Sequence, residues 1–428
     1  MKRPVFEMLA AAQGTTRLHM PGHKGTLDPH DMTELARTDD LYAPADGIAE
    51  AERLAAQAFG AAHTLMLTGG STAGILAMIL SSVAPGETLL LPRNVHHAAV
   101  SACVWGDVDA VFAENMLDAI QANPGAKAVF VTRPDYYGRC LDLPAIVKSA
   151  HAAGMLVLVD EAHGAHFAWW EGPRSAGALD ADAWVQSAHK TLPALTGTAW
   201  LHLASTLDAG RARRFLRMVQ TSSPPFPLLQ SLDDARAWMD DFGSGALRTL
   251  LALLADVCAA INGLGGYAIV PADDPTRLVI ATRGRGHSGL TVQEMLSDQL
   301  VDVEMADDDC IVCICTVCDT RETFDRLLAA LAEIPQGAPL LPTQIIAPTP
   351  GPCRLSVRMA ALARQEPVPL AQAAGRIAAI SAGLYPPGIP LVLPGEQVTD
   401  ACIQKLLETP PGRRFGIEDG CLICVTED

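Results

Sequence analysis

The chain is 428 residues long, 49% apolar and 18% charged, which is enough to bury a large core and excludes wholesale disorder. A net charge of −17 argues against nucleic acid or an anionic membrane as partner, and an aromatic content of 5% gives little support to base stacking. The segment after Met1 has no signal-peptide apolar core, no uninterrupted apolar run reaches 18 residues, and the 11 cysteines read as reduced thiols of a cytoplasmic protein.

Residues 1–45 are rich in turn formers (Pro21-Gly22, Gly25, Asp39-Asp40, Pro44) and read as an irregular N-terminal arm. Apolar spacing from Ile48 to Phe59 predicts a helix. Short apolar runs then alternate with helical stretches: Leu65–Leu67, Thr88–Leu91, Ala128–Val131, Met155–Val159, Trp184–Gln186 and Ala199–Leu203. That alternation predicts an α/β fold with a mainly parallel sheet covered by helices on both faces. A long helical region follows over Leu228–Leu264 and ends at Gly265-Gly266. Beyond it the pattern is strand (Arg277–Ala281), helix (Thr291–Leu300), strand (Ile311–Val317) and helix (Arg321–Ile334). A Pro-rich linker (Pro335, Pro339, Pro342, Pro348, Pro350, Pro352) leads into a last segment. The organisation expected is an arm (1–45), a large domain (46–264) and a smaller α+β C-terminal region (265–428).

Ligands of such sheets bind beyond the carboxyl ends of the strands, so the residues just after each run carry the interest. A lysine after a strand is ordinarily a solvated charge. Lys190, however, follows Asp160, which itself ends the most apolar strand. A buried carboxylate and a lysine two elements later are what pyridoxal phosphate chemistry requires: the amine binds the aldehyde, and the carboxylate keeps the pyridine nitrogen protonated. Gly69-Gly70-Ser71-Thr72 follows a strand and opens a helix, an anion site of backbone N–H groups and hydroxyls, although a plain capped turn has the same composition. Ser187 and His189 add donors. The ring of His96 is placed to stack on a flat cofactor, or simply to start a helix.

Other motifs are set aside. Asp160-Glu-Ala-His163 spells a helicase signature, but no phosphate-binding Gly-x4-Gly-Lys loop precedes it. His19 and His23 are separated by Pro21-Gly22, so they do not share a helix, and they lack the nearby ligands of a zinc protease; neither this pair nor His163/His166 is read as a metal site. Cys310, Cys313, Cys315 and Cys318 have the spacing of a metal site, yet the segment between them is an apolar strand in which cysteine behaves as a small hydrophobe.

Several motifs occur in one order: Leu18-His-Met-Pro-Gly-His-Lys-Gly25, Gly69-Gly-Ser-Thr72, Arg93-Asn-Val-His96, Asp160-Glu-Ala-His-Gly164, Ser187-Ala-His-Lys190, Thr221-Ser-Ser-Pro224, Tyr385-Pro-Pro-Gly-Ile-Pro-Leu391 and Pro394-Gly-Glu396. With them the chain resembles the ornithine/lysine/arginine decarboxylases of the aspartate-aminotransferase fold (pyridoxal phosphate fold type I, with a seven-stranded sheet), over nearly its whole length. The resemblance implies Lys190 as the Schiff-base lysine, Asp160 as the pyridinium partner, His96 stacked on the ring, Ala162 on the other face and His163 lining the pocket. It implies a phosphate held by Gly70, Ser71, Thr72, Ser187 and His189, and Thr221 reaching the phosphate of a neighbouring subunit in a homodimer. Glu396 is implied as a contact to the distal cation of a basic amino acid.

Two departures bear on substrate choice. His97 stands where the family often has lysine, and Arg133-Pro-Asp-Tyr-Tyr-Gly138 brings in Arg133 and Asp135. The length leaves no room for the N-terminal wing domain of longer members. The expected activity is decarboxylation of arginine, lysine or ornithine to a polyamine-type amine. An aminotransferase or a carbon–sulfur lyase on the same fold is the alternative, and a non-enzymatic paralogue conflicts with the intact Lys190 and Asp160.

Overall fold

A computed structural model describes residues 1–341, 349–385 and 388–427. Pro342 and Pro348 of the expected linker, and Pro386 and Pro387 of the Tyr385 motif, lie outside the described residues.

The centre is a seven-stranded sheet: β1 (His63–Leu67), β2 (Thr88–Pro92), β3 (Asp109–Ala113), β4 (Ala128–Thr132), β5 (Leu156–Asp160), β6 (Ala183–Ser187) and β7 (Ala199–Leu203). Its spatial order is β1-β7-β6-β5-β4-β2-β3. Only β7 runs against its neighbours, β1 and β6. The six strands expected from the apolar runs are all present. The seventh, β3, is a half-buried edge strand that pairs with β2 alone; its Asp-Ala-Val-Phe-Ala sequence lacks the run of branched residues that marks a central strand.

Helices cover both faces. α2 (Gly47–Phe59) precedes β1, and α3 (Gly70–Ser82), α4 (His97–Gly106), α5 (Met116–Ala122) and α6 (Leu143–Ala152) follow β1 to β4 in turn. α3 is apolar nearly all round and is packed between the sheet, α4 and the amphipathic α8 (Ala209–Val219), as burial on several sides demands. A four-residue turn, α7 (Ala188–Thr191), continues β6. The N-terminal arm contains a helix that the turn-rich composition concealed, α1 (Pro4–Ala11). Val5, Met8 and Leu9 recur at helical spacing and bury against α2 and α9 (Phe226–Trp238).

The long helical region is continuous from Phe226 to Gly263, but a π turn at Met239–Gly243 divides it into α9 and α10 (Ser244–Gly263). It contains a window as apolar as a membrane span. Here Leu229 and Leu232 pack into the core behind the large sheet. Leu250, Leu254, Val257 and Ile261 pack into a second core. That core belongs to a four-stranded antiparallel sheet, ordered β10 (Met305–Ala306), β11 (Cys310–Ile314), β9 (Arg277–Ala281) and β8 (Ala268–Ile269), with α11 (Gly289–Ser297) and α12 (Arg321–Glu333). Cys310 and Cys315 are buried at β11 and Cys313 is half-buried, as the strand reading expects. Residues 365–425 form two further three-stranded sheets, and Ser381, Tyr385 and Phe415 from this region reach back to the large sheet's strand ends.

Candidate active site

A cavity of about 680 Å³ opens at the carboxyl ends of β4, β5 and β6, where a parallel sheet gathers its loops. Lys190, Asp160, His96, His163, Ala162, Ser71 and Asp135 all line it. Lys190 is carried by α7, so β6 fixes its backbone directly. Its Nζ lies 3.1 Å from His163 Nε2 and 6.0 Å from the centre of the Tyr136 ring. Burial lowers the Lys190 pKa, opposed by the nearby negative charges of Asp160 and Glu304. A lysine amine that is neutral at lower pH than usual suits a nucleophile.

Asp160 ends β5 and is 4% exposed. Its Oδ1 accepts the Ala162 N–H at 3.1 Å. Burial raises its pKa, and Lys190 draws it back. A cationic ring nitrogen against this carboxylate would favour the ionised form in the same way. His96 caps α4, with Nδ1 accepting the Ala98 N–H at 3.2 Å. Both readings of this histidine therefore meet in one residue, because its ring also lines the cavity. Burial first, and then His97 and Lys190, push its pKa down to about 4, so the ring is neutral near pH 7. His163 is likewise held well below the usual histidine range, by burial and then by Lys190 and Arg277.

The turn from β1 into α3 makes the anion end. Gly70 adopts φ +67°, a left-handed conformation that glycine takes without strain, and its N–H donates to Gly197 O at 2.8 Å. Gln220 Oε1 accepts the N–H groups of Thr68 and Gly69, each at 2.9 Å, which pins the turn. Ser71 faces the cavity, and Gly70 and Thr72 share its helical turn. The hydroxyls of Ser187 and Thr132 are buried and have no hydrogen-bond partner among the described residues. His189 Nδ1 lies 3.0 Å from Thr198 O and donates to it, which fixes the ring. Unpartnered buried hydroxyls beside a helix N-terminus, a buried lysine amine and a buried carboxylate fit a phosphorylated aldehyde cofactor.

Two of the expected contacts are placed otherwise. Glu396 does not face the cavity: both its oxygens are clasped by Arg93, at 2.5 and 2.9 Å, and Oε2 also accepts the Leu393 N–H at 2.8 Å. Arg133 follows β4 by one residue after Thr132, and the alternation of a strand turns it to the opposite face. It is buried there against Glu161 (3.2 Å) and Arg174 O (2.9 Å), off the described cavity wall. Glu161 continues a polar row through Gln186, His202 and Thr64, and burial raises its pKa to about 8. Thr221 lies outside the cavity wall on an exposed loop, where its Oγ1 accepts the Ser223 N–H and its carbonyl accepts the Tyr42 hydroxyl. Asp135 does line the cavity, although its Oδ1 accepts the N–H groups of Tyr137 and Arg139, each at 2.9 Å.

Sequence reasoning passed over Tyr136, Thr132, Arg93 and Arg277. Arg277 is the least expected, since it starts a strand of the second sheet yet reaches His163. A charge at the head of an otherwise apolar strand was the available signal.

Known proteins place this arrangement. The family model described as the Orn/Lys/Arg decarboxylase major domain matches residues 24–121 and 109–251, and that of the C-terminal domain matches residues 353–410. An uncharacterised Bacillus subtilis protein, YaaO, is 34% identical, with 95% of this chain and 94% of its own length covered. The arginine decarboxylase of Bacillus subtilis is 32% identical, covering 93% and 91%. In fold, the chain is similar to the Francisella novicida lysine decarboxylase LdcF, with a TM-score of 0.83 at 17% identity over 99% of this chain and 80% of that one. With these matches spanning most of its length, the chain belongs to the Orn/Lys/Arg decarboxylases, carboxy-lyases of basic amino acids that depend on pyridoxal phosphate.

Proposed function

We propose that the chain decarboxylates arginine, with Lys190, Asp160, His96 and His163 at the reacting centre. The observation that carries the residue roles is the convergence of Lys190 and Asp160 on one wall of a cavity that also holds His96 and Ser71. Arginine is favoured over lysine and ornithine because relatives 31–32% identical over at least 92% of this chain are named arginine decarboxylases.

When bound, pyridoxal phosphate supplies an electron sink for the carbon that loses its carboxylate. Lys190 offers the tethering amine. Asp160 offers the anion that keeps the ring nitrogen protonated. Ser71, Thr72, Ser187 and His189, with the first turn of α3, would hold the phosphate, and His96 and Ala162 would bound the ring. Asp135 is the one acidic side chain on the described wall besides Asp160, and its two backbone hydrogen bonds both use Oδ1. Oδ2 is thus available to a distal cation, which supports Asp135 as the substrate contact. The exposed position of Thr221, with Leu18, Leu27 and Met218 exposed by 92%, 84% and 75%, supports a homodimer in which Thr221 reaches the partner's phosphate. Eleven cysteines, all free, suit a reducing cytoplasmic setting.

The test is carbon dioxide release and amine identification with arginine, lysine and ornithine, each with and without a keto acid. Arginine is expected to turn over fastest with no keto acid present. Turnover that requires the keto acid and releases no carbon dioxide would overturn the reading in favour of an aminotransferase.

A further inference from the structure

Arg277 heads β9, in the second sheet, yet its guanidinium ends beneath the large sheet's active-site loop. Its side chain is fully buried. Nη2 donates to His163 O at 3.0 Å and to His163 Nδ1 at 3.3 Å. Nη1 lies 3.3 Å from Thr276 Oγ1 and 3.9 Å from Asp274 Oδ2. We propose that Arg277 is a positioning residue that fixes His163 as its neutral Nε2–H tautomer, and thereby leaves Lys190 rather than a histidine to return the proton to the reacting carbon. This rests on Lys190 being the cofactor lysine, as proposed above.

A guanidinium has five N–H donors and no acceptor. A histidine nitrogen facing it must therefore present a lone pair, so Nδ1 is unprotonated. The single proton of a neutral imidazole then sits on Nε2, and Nε2 faces Lys190 Nζ at 3.1 Å. To protonate His163 would turn Nδ1–H against a guanidinium N–H at a site where His163 is 4% exposed. The other charges that face the imidazole do not relieve this. Lys190 and His189 on α7, and His166 on the following turn, all oppose a further positive charge, and Tyr136 packs against the ring edge-on with centroids 4.6 Å apart. The carboxylates of Asp274 and Glu304 act on Arg277.

Two consequences follow for the proton. A neutral Nε2–H donor favours an acceptor opposite it, so Lys190 is drawn to its free-amine form and its ammonium becomes a stronger acid. His163 has no proton to give short of forming an imidazolate. The carbon is therefore protonated by Lys190: an Nζ–H bond of the ammonium breaks, a C–H bond forms on the carbon that has lost its carboxylate, and the amine left behind accepts the His163 Nε2–H. The net reaction consumes one solvent proton for each carbon dioxide released.

The experiment uses holoenzyme labelled with [15N]histidine, the His163 signals being identified by their loss in His163→Gln. In the wild-type protein His163 is expected to be Nε2–H and to stay neutral from pH 5.5 to 8. Arg277→Met should free Nδ1, so that the Nδ1–H tautomer appears beside the Nε2–H one, and lower kcat by about tenfold or more. Arg277→Lys, which keeps a donor, should restore the Nε2–H tautomer and part of the rate. A wild-type His163 that is Nδ1–H or protonated at pH 7 overturns the inference, and that measurement stands even if Arg277→Met does not fold. An unchanged tautomer in a folded Arg277→Met protein overturns it as well. The cofactor assignment fails separately, if Lys190→Ala retains the absorption band of the lysine-bound cofactor.

Discussion

Arg93 and Glu396 are 303 residues apart in the chain and form a two-pronged ion pair, Nη1 to Oε1 at 2.5 Å and Nη2 to Oε2 at 2.9 Å. Arg93 begins the loop that ends in His96, and Glu396 belongs to the C-terminal region. The pair therefore ties the loop of His96 to the last part of the molecule. Glu396 is 6% exposed and the Arg93 side chain 15%, so removing Glu396 strands a largely buried guanidinium. Glu396→Ala is expected to cost about 3 kcal/mol or more of stability and to weaken cofactor retention, while the KM for arginine changes little. Thermal unfolding of the holoenzyme and a cofactor titration check this. A raised KM with unchanged unfolding would mean that Glu396 touches substrate after all.

Lys190→Ala removes the amine but leaves the phosphate donors in place. The expected result is a protein that still binds pyridoxal phosphate, lacks the band of the lysine-bound cofactor, and is slower by a factor on the order of 10⁴. An external primary amine should restore part of the rate. Retention of the wild-type spectrum would rule out Lys190 as the tether.

Much of this site was legible in the sequence because it sits at strand ends. The apolar runs ending at Asp160 and before Lys190 locate both residues on one sheet edge, and the Gly-rich turn after β1 marks the anion site. What was not legible depends on which face a side chain takes and on contacts across the chain. Arg133 adjoins Thr132 in sequence yet lies on the other side of the sheet, where its Nη1 donates to Glu161 Oε1. Arg277 and Glu396 come from regions whose docking onto the large sheet no local pattern encodes. The helix α1 was hidden for a simpler reason: eight residues of favourable spacing preceded some thirty of turn formers.

The polar row behind the site sets an acid limit. His202 is fully buried, and burial pushes its pKa down from 6.5 to about 3. Gln186 Oε1 lies 3.1 Å from Nε2 and Thr64 Oγ1 2.8 Å from Nδ1. The histidine is thus neutral in the fold and protonated in the unfolded chain below pH 6.5. A depressed folded pKa contributes stability that is complete above 6.5 and is lost as the pH falls through the folded value, on the order of 5 kcal/mol at the limit. His202→Gln is expected to be less stable at pH 7 by about 1–3 kcal/mol, since its hydrogen bonds are imperfect. Its stability should nevertheless fall less steeply between pH 6.5 and 4. Urea unfolding at a series of pH values tests this, and parallel slopes for the two proteins would refute it.

Gly138 supports the segment that carries Arg277. It has φ +78°, and a Cβ there would lie 2.8 Å from Asp274 O and 2.8 Å from Arg277 Cβ. Gly138 O also accepts the Asp274 N–H at 2.9 Å, so the loop after β4 and the start of β9 are in direct backbone contact. Gly138→Ala combines a left-handed backbone with a clash that only movement of the Asp274–Arg277 segment can relieve, at a cost of about 2–4 kcal/mol. Gly74→Ala is the control. Its Cβ would lie 2.5 Å from Val185 Cγ2 and 2.7 Å from Leu67 Cδ1, in the core between α3 and the sheet, and is expected to cost about 1–3 kcal/mol. If Gly138 acts by seating Arg277 under His163, its alanine variant should lose about tenfold more kcat than Gly74→Ala at a comparable drop in unfolding temperature. Equal losses of activity at equal losses of stability would show that Gly138 matters to the fold alone.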